Sequence, residues 1–262
     1  MTGGSSGESR RDAVTAIQQR LRTHPGYVEH MRIRAFATTL AEVFEPNYLE
    51  LAGLLDSVAV DSDAAIEMLN GMSSNILGSG VISRINRHLH NYVAAASTLV
   101  DHARRLTKGR DGSIADEYAR RRDALLSSPE IPFINGLRNL SLHHSLPVLA
   151  YTLRVTPAGV ESSEAELSVS DLLDSDRWNV QMRDFISSHG KRMAIRPVVR
   201  RHRDLVFALS SWLIEKLQIA NRSALEEANE LVVAVNAAMM GVDLDTARRR
   251  TAEESMRRTT IQ

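Results

Sequence analysis

Four side chains capable of chemistry fall within the stretch Pro132 to Pro147, PFINGLRNLSLHHSLP: Arg138, Asn139, His143 and His144. An arginine grips a phosphate through two parallel hydrogen bonds and is always charged. A histidine gives or takes a proton near neutral pH. Placed on one face, the two can run phosphoryl chemistry without a metal. At about 100° per residue a helix over this stretch gathers Phe133, Leu137 and Leu140 into an apolar stripe that also takes in His144. Asn139 and His143, four apart, share a different face, with Arg138 beside it. Arg138, Asn139 and His143 are therefore the candidate catalytic residues. His144, on the apolar stripe, is expected to be neutral and chiefly structural, although its place beside the motif makes it a candidate for substrate contact as well.

Positioning such a site takes a helical framework, and the chain supplies one. Its 262 residues are 43% hydrophobic and 24% charged, enough for one large core or two small ones. Ala13 to Arg22 reads as a short helix, stopped at His24-Pro25-Gly26. A helical pattern resumes at Tyr27 with Met31, Ala35, Leu40 and Val43 on its inner face, and Pro46 kinks or restarts it. Leu49, Leu51, Leu54 and Leu55 form a further buried segment. Asp61 and Asp63 read as N-caps of a short helix through Met68, and Gly71 to Gly80 as a loop. Val81 to Leu106 is the longest uninterrupted helix. It is ended by Lys108-Gly109-Arg110-Asp111-Gly112.

On that long helix His88 and His90 point to nearly opposite sides, which argues against a metal site with His102. Asp101 either orients Arg138 from a neighbouring helix or pairs with Arg104 or Arg105 on its own. Ser113 to Ser127 is a helix whose Arg120-Arg121-Arg122 run is a solvated face before it is an RNA contact, because Asp116, Glu117 and Asp123 interleave with it. Pro129 and Pro132 frame the start of the motif helix. Beyond Pro147, Val148 to Thr156 and Glu164 to Ser170 alternate as a β-hairpin about the turn Pro157-Ala158-Gly159. Asp174 to Ser188 is helical, and Ile195 to Asn221 forms a second long helix with Val198, Val199, Leu205, Leu209, Leu213 and Leu217 apolar. Arg200, Arg201 and Arg203, around His202, are the densest basic cluster. They are candidates for substrate phosphate, with a solvated stripe as the alternative. Ala224 to Met240 and a polar piece from Asp245 to Arg258 complete a helical end.

Arg138 to His143 reads R-N-x3-H and resembles the R-x4-6-H signature of HEPN domains, the higher eukaryote and prokaryote nucleotide-binding domains. The likeness spans roughly residues 25 to 155. The resemblance implies an antiparallel helical bundle of HEPN type, here with a small β-hairpin and additional C-terminal helices. The expected divisions are a disordered tail (1–12), the HEPN-like bundle (13–156), a hairpin strand with C-terminal helices packed on it (157–242), and a polar helical tail (243–262). It further implies a metal-independent endoribonuclease, often a toxin or a phage-defence factor, with no cofactor. Its composite Arg-His site would lie between the motif helices of two subunits, so the expected partners are RNA, a second copy of the chain, and an antitoxin or other regulatory protein. In the branch paired with nucleotidyltransferase antitoxins a tyrosine follows the histidine by two positions. Ser145 stands there, which argues against control through that tyrosine.

Composition bounds these expectations. Zero cysteines exclude disulfides, thiolate metal sites and a cysteine nucleophile, and the cytoplasm is the default compartment. Thirty-two Lys and Arg against thirty-two Asp and Glu leave a net charge of zero, so RNA binding must be local. No apolar run approaches the roughly 20 residues that cross a bilayer, and no membrane partner is expected. The rival expectation is a helical interaction module that keeps the bundle and cleaves nothing.

Overall fold

Apolar residues at 85, 89, 92, 96, 99, 103 and 106, alternately four and three apart, keep one face of a helix buried over its whole length. In the computed structural model, which describes residues 5–60, 80–110, 112–143, 149–156 and 159–259, this is the central helix α4 (Val81–Thr107), numbered after α1 (Ser5–Thr23), α2 (Pro25–Thr38) and α3 (Glu45–Val60). There follow α5 (Ser113–Leu126), α6 (Glu130–His143), β1 (Leu149–Thr156), β2 (Gly159–Ser168), α7 (Val169–Leu173), α8 (Val180–Ser187), β3 (Arg192–Ala194), α9 (Ile195–Ala220), α10 (Arg222–Met240) and α11 (Leu244–Thr259). The protein is mainly helical with a small antiparallel sheet. Among the described residues no helix is long and apolar enough to cross a membrane. The N-caps expected at Asp61 and Asp63, and the loop from Gly71 to Ser79, lie outside the described residues.

The chain divides into two compact units, residues 36–213 and residues 1–35 with 214–262. This grouping differs from the expected blocks 13–156 and 157–242, because the N-terminal helices associate with the C-terminal ones. In the smaller unit α1 packs on α10, and α10 on α11. The tail expected to be disordered through Asp12 is helical from Ser5, and its Arg10 shows why the helix extends that far. The Arg10 guanidinium donates to the carbonyls of Ala238 and Met239, both at 2.8 Å, at the last turn of α10, where carbonyls have no intrahelical donor. Gly241 then ends α10 in the left-handed conformation (φ 67°). Gly26, in the first turn of α2, touches the α10 backbone so closely that a Cβ would stand 1.8 Å from the Ala224 carbonyl oxygen.

In the larger unit a π-helical turn, Thr39–Phe44, precedes α3 without a break. Its wide register, closed by the Glu45 N–H donating to the Leu40 carbonyl, moves the preceding carbonyls out of the way of the Pro46 ring. The helix runs on through Pro46, so that residue does not restart it. Phe36, Leu40 and Phe44 are buried here, whereas Val43 and Leu49, expected inside, are exposed. The hairpin is present, but its second strand begins at Gly159, directly after the turn, pairing Thr156 with Gly159 and Leu149 with Leu167. A third short strand adds to it through Leu167 and Met193. The helix expected over 174–188 is shorter, running only over α8 (Val180–Ser187), and a separate short helix, α7, precedes it at Val169–Leu173, where the end of the second strand was expected. Ser168 caps α7 by accepting from the Asp171 N–H, and Asn179 caps α8 by accepting from Met182.

Candidate active site

Helix α6 carries the motif and is held by one face. Ile131, Phe133, Ile134, Leu137 and Leu140 are buried, which includes the whole stripe expected from Phe133, Leu137 and Leu140. Phe133 stacks on Trp178 with ring centroids 5.5 Å apart and meets the edge of Phe185 at 5.7 Å. Trp178 lies directly on the helix backbone at Gly136, where an added Cβ would come within 2.1 Å of the ring. The indole N–H donates to the Leu172 carbonyl at 2.7 Å, which fixes the ring against α6. Pro132 sits in the first turn, where its missing N–H costs nothing.

The opposite face is exposed. Asn135, Arg138 and Asn139 reach solvent, and Arg138 lines a cleft of about 220 Å³ whose other wall is α4: His90, Val93, Ala94, Ser97, Thr98 and Asp101. The residues at 90, 94, 97 and 101 succeed one another by four, three and four, a single helix face. His143 is the last residue of α6, one turn beyond Asn139. Its side chain, and His144 altogether, lie outside the described residues. The structure therefore puts Arg138, Asn139 and the backbone of His143 on one helix and brings Arg138 to the cleft. Asp101 fulfils its local reading, accepting from Arg104 at 3.3 Å, and also shares the cleft with Arg138.

Sequence reasoning missed His90, Ser97 and Thr98 as cleft residues. The signal was the shared face with Asp101. The histidines of α4 go three ways: the His88 Nδ1 lies 3.3 Å from a Glu50 carboxylate oxygen, the His102 Nδ1 lies 2.9 Å from the Thr39 hydroxyl, and His90 lines the cleft.

The basic cluster of α9 is split by its helix. Arg200 and Arg201 are exposed and line a second cleft, of about 400 Å³, with Glu164, Arg196, Pro197 and Asp204. Arg203 is not part of that wall. Its Nε donates to a Glu45 carboxylate oxygen at 3.0 Å, a second nitrogen bonds the other oxygen, and a third donates to Asp204 at 3.1 Å. Its guanidinium also covers the Phe207 ring at 4.5 Å. The bond to Glu45 raises the Arg203 pKa further, so it is a permanent charge committed to α3. His202 is buried, with its Nδ1 2.6 Å from the Tyr92 hydroxyl, which also lies 3.4 Å from the Val199 carbonyl oxygen. Burial depresses the His202 pKa to about 3 and, with the nearby Tyr48, raises that of Tyr92 well above its ordinary value. On α5, Arg120 and Arg121 bond Glu117, Arg122 bonds Asp123, and Arg121 lies over the Trp212 ring at 4.5 Å. That run is a charge-paired helix face.

Among the described residues no group of three or more His, Cys, Asp or Glu is placed to hold a metal ion. No family model, curated protein or solved structure matches the chain.

Proposed function

We propose that the protein is a metal-independent endoribonuclease of the HEPN type, working as a toxin-like or phage-defence factor. The observation that carries this reading is the exposure of Arg138 and Asn139 on the solvent face of α6, with Arg138 in the wall of a cleft. A cleft there admits a phosphodiester. In the reaction a ribose 2′-hydroxyl attacks the adjacent phosphorus, and the O5′ bond breaks. The products are a 2′,3′-cyclic phosphate and a 5′-hydroxyl. His143 takes the 2′ proton, and the departing O5′ receives one from the second histidine of a symmetric pair. Arg138 neutralises charge growing on the phosphorane oxygens, and Asn139 orients the phosphate. Two copies of α6 meeting across a two-fold axis supply both histidines, which makes the active species a homodimer.

The test is incubation of the purified protein with total RNA in EDTA. Fragments ending in cyclic phosphate, lost in His143→Ala, support the reading. Intact RNA, or cleavage that EDTA stops, refutes it. A second reading, a helical binding module without catalysis, is favoured by the commitment of Arg120, Arg121, Arg122 and Arg203 to carboxylates. Intact RNA together with a stable dimer would select it.

A further inference from the structure

Two of the four arginines between positions 196 and 203 on α9 are paired with carboxylates of the fold. Arg196 forms an ion pair with Asp56 at 2.5 Å, and Arg203 is held by Glu45 and Asp204. Arg200 and Arg201 are the exception, since among the described residues no carboxylate pairs with either. Both are exposed and both line the 400 Å³ cleft, which shares no residue with the cleft at Arg138. Among the described residues that line it, Pro197 is the one without a charge. Whatever binds is recognised by charge. With Arg196 and Asp204 each paired elsewhere, the wall presents two guanidiniums against the one carboxylate of Glu164. That balance suits phosphodiesters, one charge each, better than a compact polyphosphate.

We propose that the Arg196, Arg200 and Arg201 cleft is a phosphate-tracking site for the backbone of single-stranded RNA, separate from the cleavage site, with Arg200 and Arg201 each holding one phosphate. The choice of RNA among polyanions rests on the nuclease reading; the site itself does not. It binds without reading sequence, because phosphates carry none.

The experiment measures the anisotropy of a short labelled single-stranded RNA whose riboses are 2′-O-methylated. Such an RNA cannot be cleaved, so binding is read alone. Each phosphate contact on a single strand adds about 0.7 to the dependence of log affinity on log salt. Arg200→Gln and Arg201→Gln should each flatten that slope by about 0.7, and the double variant by about 1.4. At 0.1 M salt the same relation makes the losses about fivefold and about 25-fold. The Arg200→Lys/Arg201→Lys variant should keep the wild-type slope, since the charges remain. A double Gln variant with wild-type affinity and slope would overturn the site, as would wild-type protein that leaves the oligonucleotide unbound or binds pyrophosphate in its place. Unmodified RNA separates the two claims. Binding of this kind without cleavage would refute the nuclease reading and leave the site standing. Cleavage with an unaffected double variant would do the reverse.

Discussion

Lowering the pH should unfold the larger unit through His202, and the size of the effect follows from its burial. The ring is 2% exposed, and desolvation moves its pKa from 6.5 to about 3. The unfolded chain therefore binds a proton that the folded chain refuses, and between those values stability must fall as pH falls. Above pH 6.5 the contribution is complete. At pH 5 the loss is about 2 kcal/mol, and by pH 3 it is about 4 kcal/mol, at about 1.4 kcal/mol per pH unit. The neutral ring hydrogen-bonds the Tyr92 hydroxyl, so His202→Asn, whose amide offers both a donor and an acceptor near Nδ1, keeps a partner for it and removes the titration. Urea unfolding of both proteins from pH 8 to 4.5 would measure the difference. Trp178 and Trp212 are the only tryptophans and both belong to the same unit as His202, so fluorescence reports that unit. We expect the variant to be less stable at pH 8 but to lose about 2 kcal/mol less by pH 5. Carboxylates elsewhere act on both proteins and cancel. Parallel stability curves, or a His202 ring that titrates near 6.5 by NMR, would refute the argument.

Gly136→Ala should cost about 1–3 kcal/mol in the same urea assay, since its methyl must displace the Trp178 ring that fixes α6; an unchanged midpoint would mean the ring moves freely. Arg138→Ala and His143→Ala should each abolish RNA cleavage while leaving the circular dichroism spectrum intact, and the double variant should be no worse than either, as expected of groups acting in one step. Gly26→Ala should destabilise the smaller unit, because the added carbon meets the Ala224 backbone rather than a flexible side chain; amide exchange in α1 and α10 should quicken, and unchanged exchange would count against the contact. Light scattering should return twice the 29.1 kDa chain mass at micromolar concentration. A monomer would remove the composite site.

How much of this could be read in the sequence depended on whether a buried position carried an apolar residue. The stripe of Phe133, Leu137 and Leu140 was legible because all three are apolar and all three are buried. On α9 the same reasoning picked Leu205 and Leu209, yet the buried line runs through Val198, His202, Val206, Ser210 and Leu213. Two of those five are polar, and hydrophobic periodicity cannot count a histidine that only the Tyr92 hydroxyl makes tolerable inside. The same rotation divides the basic cluster. With His202 facing inward, Arg203 turns toward Glu45 and Arg200 and Arg201 turn toward solvent, so three arginines that look alike in the chain become one clamp and two exposed cations. Ala13 to Arg22 was legible as helix, but the part of α1 before it was not, for a related reason. Nothing local in SSGESRRD favours order, and Arg10 finds its partners only in carbonyls 228 and 229 residues away. The cleft at Arg138 lies between these cases: the helix face of α4 could be read from spacing, but that α6 would be the element set across it required the packing of Trp178 on Gly136, which no single helix encodes.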